Sequence, residues 1–351
     1  MASTIAPQSK ENPDEEGRQG KGGKKDGKDG RQGKGRARGR GSADGQAGGR
    51  LTWRIRLRRD KSLILMTLPA VGLLLVFNYL PMFGTITAFQ YYDPLDGVLH
   101  SQWAGLDNFR QLFGDPLFWH ALENTLYISA VQLLLFFPIP ILLALLLNSV
   151  LNQRVRSVVQ AITFLPHFYS WVLVVTLFQQ MIGGAGLLNQ FLRQHHAGTW
   201  GFMTDPHTFV LLATSQVVWK DAGWGIIVFL AALSAIDQNL YEAAAVDGAG
   251  RRRRMWHITL PGMRSIIVLM LVLRLGNALS VGFEQMLIQR NAVGHDAADV
   301  LDTFSYYYGI GTQNYSYGAA AGIFKSVISL LLIWGANKLA HRFGEDGLYR
   351  R

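Results

Sequence analysis

The sequence predicts an all-α integral membrane protein of six transmembrane helices behind a disordered basic tail. Three observations carry this. Long charge-free apolar runs recur after residue 61. Their flanks are basic on one side only. The mean hydropathy is positive, +0.14, even with a hydrophilic tail included. The charge is divided unevenly as well. Of the net +10, residues 1–62 hold 17 Lys/Arg against 8 Asp/Glu, leaving +1 for everything after them.

In chain order, a basic tail, 1–60, comes first, and as far as about Arg50 it is Gly, Lys, Arg, Asp, Glu, Gln and Ser with almost no apolar side chain. Such a segment buries too little surface to offset backbone ordering and is expected to be disordered. No cleaved secretory signal is expected at this N-terminus. Gly22, Gly27 and Lys28 have phosphate-loop spacing, but Asp29 stands where a Ser or Thr must hold Mg²⁺, and no strand precedes them. Arg36, Arg38 and Arg40 lack interleaved aromatics for base stacking, so no nucleic-acid partner is expected. Trp53–Arg59 mixes Arg with Trp, Ile and Leu, as a juxtamembrane anchor does.

The remainder, 61–351, begins its apolar runs with Ser62–Ala88, 27 residues without a charge. At about 1.5 Å per residue these exceed a hydrocarbon core of roughly 30 Å. Further spans are expected at 124–148, 157–180, 208–236, 264–288 and 318–339. Leu133–Leu147 and Ile266–Leu273 are apolar all round, which suits lipid better than a soluble core. Of the 34 Lys/Arg, 28 fall on the side of the tail and the 148–157 and 237–264 loops, and only Arg110, Arg193 and Arg290 on the other. The positive-inside rule then places both termini in the cytoplasm of a multi-pass cell-membrane protein, bacterial given the resemblance below.

The 238–262 loop carries a motif. Asp237 is a helix cap, Gln238–Val246 a strong helix former, and Gly248 and Gly250 end it. Three alanines, 243–245, leave one face flat. Glu242-Ala243-Ala244, Asp247-Gly248-Ala249, then Ile258 and Leu260-Pro261 resemble, in order and spacing, the EAA loop of ABC-importer permeases. Phe77–Gly84 and Gly105–Phe109 are similar to the entry of maltose-type carbohydrate permeases. Thr163–Trp171 and Ser280–Gln285 are similar to the subgroup serving alginate- and aldouronate-type oligosaccharides.

The resemblance implies a type I ABC importer permease fold. It also implies a second homologous permease subunit, two ATP-binding cassette subunits docking on the EAA loop, an extracytoplasmic solute-binding protein and an oligosaccharide cargo. ATP hydrolysis would lie in the partner subunits. No catalytic residue, cofactor or metal site is expected, and the His195-His196 pair reads as wet surface.

Ionisable residues inside spans line cavities or pair with one another. Lys220 and Asp221 lie in the fourth span, Arg274 and Glu284 in the fifth, Lys325 in the sixth. Two readings stay open. Lys220 and Lys325 neutralise Asp221 and Glu284, or Tyr169, Trp219, Lys220, Asn277, Glu284, Gln285 and Lys325 line a sugar path. Three cations against two anions lean toward an anionic, uronate-containing cargo. The rival function is an ion-coupled secondary transporter using Asp221 and Glu284 as its ion sites; the internal repeats it predicts are not evident.

Overall fold

A computed structural model describes residues 61–342 and residue 344. The expected tail, 1–60, lies outside the described residues. Among the described residues six helical stretches are long and apolar enough to cross a membrane.

The first stretch runs from Lys61 to Phe89. It starts as α1 (Lys61–Leu74), passes through a π turn and finishes as a 3₁₀ segment, Phe83–Phe89. From Leu65 to Ile86 every residue is exposed, apolar ones included, the pattern of a helix that faces lipid. A two-stranded antiparallel hairpin follows, β1 (Gln90–Tyr91) against β2 (Gln102–Trp103). The buried Asn108 amide of α2 (Asp107–Gly114) locks it by donating to the Ala88 and Gln90 carbonyls at 2.9 and 3.0 Å.

Asp115 caps α3 (Pro116–Leu135), accepting the Leu117 N–H at 2.9 Å and the Tyr317 hydroxyl at 2.6 Å. The second crossing therefore starts eight residues before the hydropathy edge at 124. It continues, after a break at Phe136–Phe137, as α4 (Pro138–Asn148).

The third crossing departs from expectation. The 157–180 run is two helices, α5 (Gln153–Phe164) and α6 (Trp171–Ile182), separated by a 3₁₀ turn, Leu165–Phe168. Pro166 has no N–H for a continuing helix, and Ser170 caps the new one. The apolar stretch of crossing length is Trp171–Gln194, which adds α7 (Leu187–Gln194).

α8 (Pro206–Ser234) is the most buried crossing: half of its apolar window is covered, against none of the first. Its two glycines do not loosen it, since the helix is unbroken. They admit neighbours. A Cβ at Gly223 would lie 2.1 Å from the Thr163 carbonyl oxygen, and one at Gly225 would lie 2.6 Å from the Pro140 side chain.

After α9 (Gln238–Val246) and a connection through Thr259, α10 (Leu260–Gly276) forms the fifth crossing. It stops well before the expected end at 288. Residues 277–282 turn the chain, with Gly282 at φ +97°, and α11 (Phe283–Val293) sets off afresh. Arg274 and Glu284, expected in one span, therefore lie on two different helices. Buried glutamines tie α11 to α8: Gln285 Nε2 donates to Gln216 Oε1 at 2.7 Å and to the Ala213 carbonyl at 2.9 Å, and Gln289 joins at 3.0 Å.

Arg290 forms a two-pronged buried ion pair with Asp299, and its guanidinium lies 3.8 Å from the Tyr307 ring centroid. The Asp299 hydrogen bond pushes the Arg290 pKa above its ordinary value. The last crossing, α12 (Tyr315–Arg342), meets the preceding turn at bare backbone: a Cβ at Gly309 would lie 2.7 Å from the Gly318 Cα. Gly318 thus serves close packing as its spacing with Gly322 predicts, whereas a Cβ at Gly322 would meet nothing within 4 Å.

Removing one partner of a buried ion pair costs about 3–5 kcal/mol, because the other charge is stranded. Arg290→Ala should therefore lower the thermal midpoint of the detergent-solubilised protein by several degrees. Arg290→Met with Asp299→Leu, which removes both charges, should recover most of the loss. A single variant as stable as the parent would show that the pair contributes nothing.

Candidate functional site

The residues singled out in the sequence fall into two places. One is the connection between α8 and α10. Asp237 starts α9 by accepting the Asn239 N–H at 2.9 Å. Its end is a left-handed cap: Gly248 sits at φ +72°. The Ala249 N–H reaches the Ala244 carbonyl at 2.8 Å and the Gly248 N–H reaches Ala245 at 3.1 Å. These are the paired 6→1 and 5→2 bonds that close a helix on a glycine. The Asp-Gly-Ala triplet thus has a backbone purpose at each position: last cap, left-handed turn, returning donor.

Tyr241 and Ile258 anchor this segment, packing on the core of Leu233, Ile236 and Met263. The Tyr241 hydroxyl also meets Thr259 Oγ1 at 3.0 Å. No residue of α9 is fully buried. Glu242, Ala243, Asp247 and Pro261 are exposed, while Ala244, Ala249, Ile258 and Leu260 are half-buried. Val246 is 89% exposed, an apolar residue left for something outside the chain. Among the described residues Glu242 makes no side-chain hydrogen bond or ion pair. Beside it a cavity of about 370 Å³ is lined by Ala244, Asp247, Arg253, Arg254 and His257.

The other place is the polar interior. Lys220 and Asp221 are neighbours on α8 and point differently, yet one residue serves both. The Lys220 ammonium donates to the His167 carbonyl at 2.8 Å, and the His167 ring meets Asp221 Oδ1 at 2.9 Å. Lys220 is also 4.0 Å from Asp221 Oδ1 and 5.6 Å from the Trp171 ring centroid. The His167 ring stacks on Trp224, with centroids 5.3 Å apart and planes at 17°. Tyr169 and Trp219 are ring neighbours at 6.2 Å and both partly exposed.

Lys325 does not neutralise Glu284, as one sequence reading had it. Its ammonium pairs with Asp302 on the Leu301–Phe304 turn. Glu284 has left the crossing, because the chain reverses at Gly282, and it stands exposed in the first turn of α11. Gln285 is fully buried in the glutamine cluster.

Asn277 is exposed at the end of α10 and borders two spaces. One, about 620 Å³, is also lined by Lys325, Ser326, Ser329 and Trp334. The other, about 330 Å³, holds Arg274, Asp221, His167 and Trp224. The sequence reading placed Arg274 inside a span but not on the path, and passed over His167 and Trp224. Arg274 donates to Gln132 Oε1 at 2.8 Å and lies 5.2 Å from the Phe136 ring centroid. Its mid-span position was the available signal; that His167 lies beside it follows only from the turn at Pro166.

The arrangement combines an unburied helix between two crossings with a polar, partly cationic interior, and comparison with known proteins gives the same picture. Residues 137–345 match the family of binding-protein-dependent transport system inner membrane components. Protein LplB of Bacillus subtilis is 43% identical over 304 residues, 86% of this chain and 96% of that one. YteP of Bacillus subtilis, a polygalacturonan/rhamnogalacturonan transport system permease, is 44% identical over 84% of this chain and 92% of its own. A crystal structure of a bacterial alginate ABC transporter, bound to an alginate pentasaccharide-loaded periplasmic protein, superposes with a TM-score of 0.76. It is 37% identical and covers 84% of this chain and 99% of that one. The chain is therefore a multi-pass transport permease subunit, and it belongs to the family of binding-protein-dependent transport system inner membrane components.

Proposed function

We propose that this permease admits acidic, uronate-containing oligosaccharides delivered by an extracytoplasmic binding protein. It pairs with a second, homologous permease subunit and two ATP-binding subunits that hydrolyse ATP. The observation that carries this reading is the near full-length likeness to the alginate importer. YteP, a permease for polygalacturonan and rhamnogalacturonan, which are also uronate polymers, supports it. An ion-gradient carrier, the rival reading of the sequence, does not fit membership of a binding-protein-dependent family.

In this reading α9 is the coupling helix. Glu242 offers an unpaired charge and Ala243 a flat surface to an ATPase cleft, and Val246 offers apolar area. Tyr241, Ile258 and the Gly248 turn hold the helix at a fixed angle to the bundle. Closure of the ATPase pair then moves α9, and with it α8 and α10, between inward- and outward-facing states. Both termini lie in the cytoplasm, as the basic flanks require.

The function is tested in the complex reconstituted with its binding protein in proteoliposomes. Oligogalacturonate or oligoalginate should stimulate ATP hydrolysis and enter the vesicles. Entry of neither, with neutral oligosaccharides carried instead, would overturn the acidic cargo.

The coupling assignment predicts that Glu242→Lys and Gly248→Val insert and assemble normally but lose at least tenfold of substrate-stimulated hydrolysis. The first reverses the free charge. The second puts a β-branched residue at φ +72°. Undiminished stimulation in both would remove α9 from that role. A reporter enzyme fused after Arg254 should read cytoplasmic and one fused after Asn291 external. The same answer at both would mean that α10 does not cross.

A further inference from the structure

The geometry points to Arg274 as the carboxylate-binding residue of a sugar subsite in the cavity between α4, α8, α10 and the Leu165–Phe168 turn. The inference rests on the reading of the cargo as an acidic oligosaccharide and names where its acid group is held.

Among the described residues three cations, Lys220, Arg274 and Lys325, lie well inside the crossings rather than at their ends, and the structure disposes of two locally. Lys325 has Asp302. Lys220 is buried against the His167 carbonyl and near Asp221. Arg274 has no carboxylate within ion-pair distance among the described residues; its partners are an amide oxygen and an aromatic face. A guanidinium carries five N–H donors in a planar fork, and one is used by Gln132. The Gln132 Nε2 amide beside it is buried with no hydrogen-bond partner. That amide is off the cavity wall, but Arg274 is on it, and a carboxylate supplies two oxygens for the guanidinium donors that remain.

The rest of the cavity suits the remainder of a uronate. Its volume, about 330 Å³, lies in the small-molecule range. Trp224 lines it and is 54% exposed, an indole available to the apolar face of a sugar ring. Asn277 stands at the rim with its amide oxygen free to accept a sugar hydroxyl. The one anion present, Asp221, is already engaged by the His167 ring at 2.9 Å and lies 4.0 Å from Lys220. Arg274 and Asp221 are thus the cation and the anion of the lining, and among the described residues Asp221 is the one of the two with an ion-pair partner of its own. Intramembrane charges line cavities or pair, and Arg274 has the cavity without the pair.

The chain has no cysteine, so a single engineered thiol reports alone. In the assembled complex Asn277→Cys is labelled with a maleimide, with trigalacturonate or maltotriose present. Trigalacturonate should slow labelling at least fivefold and maltotriose should not. Adding Arg274→Gln should abolish that protection while the complex still assembles. Arg274→Lys, which keeps the charge but loses the fork, should give intermediate protection and covers the case in which the glutamine variant does not assemble. Equal protection by both sugars, protection by neither, or full protection in the lysine or glutamine variant would overturn the subsite. If the parent complex imports trigalacturonate all the same, only the subsite falls; if it imports maltotriose alone, the acidic cargo falls with it.

Discussion

The polar interior depends on one backbone contact. At Gly223 the α8 helix offers no side chain, and the Thr163–Phe164 backbone moves into the space a Cβ would fill, 2.1 Å from the Thr163 oxygen. Only then does the Leu165–Phe168 turn lie close enough to α8 for the His167 carbonyl to receive Lys220 and its ring to reach Asp221. A larger residue at 223 would push that turn away and strand two ionised groups inside a crossing. Gly225 does the same for α4 through Pro140. The two glycines bring the walls of the Arg274 cavity together, and Trp224 between them becomes part of its lining.

Charge inside a membrane is costly unless it is paired or hydrated, so the pattern of pairing is informative. Asp302 and Lys325 join the short turn before α12 to α12 itself, and Arg290 and Asp299 join α11 to the residues that follow it. Each of these pairs links segments near in sequence and holds the irregular stretch between α10 and α12 in one shape. Lys220, His167 and Asp221 differ, because they join segments more than fifty residues apart at a cavity wall. Arg274 differs again: its contacts are polar and aromatic, and among the described residues Asp221, across the same cavity, is near enough to act on it but not to pair with it.

Much of this was legible in the chain. The crossings at α8 and α12 fall within a few residues of the hydropathy edges, since nothing inside them breaks the helix. The turn at Gly248 and the cap at Asp237 follow from residue type alone. The misread crossings share a cause. Hydropathy sums over a window and cannot see one residue that stops a helix inside it. Pro166 divides the third run and the 277–282 turn cuts the fifth short, and both lie among apolar neighbours that raise the window average. The error at Gly282 then propagated: with a continuous helix Glu284 appears to face Lys325, and with the reversal it does not. Gln285 read as path-lining for the same reason. Its true partner, Gln216, is remote in sequence and carries no signal of pairing.

One relation between the two sites follows from helix geometry. Asp221 precedes the end of α8 at Ser234 by thirteen residues, and Arg274 follows the start of α10 at Leu260 by fourteen. At about 1.5 Å per residue both lie roughly 20 Å from the α9 end of their helices. The two side chains therefore reach the same depth from opposite chain directions and line one cavity. α9 is fixed to the start of α10 by Tyr241 and Thr259 and follows α8 after a connection of three residues. A push on α9 is delivered to both helices at once. Because α8 and α10 both contribute to the cavity lining, a difference in their tilt changes the distance between Asp221 and Arg274, and with it the Coulomb interaction between them.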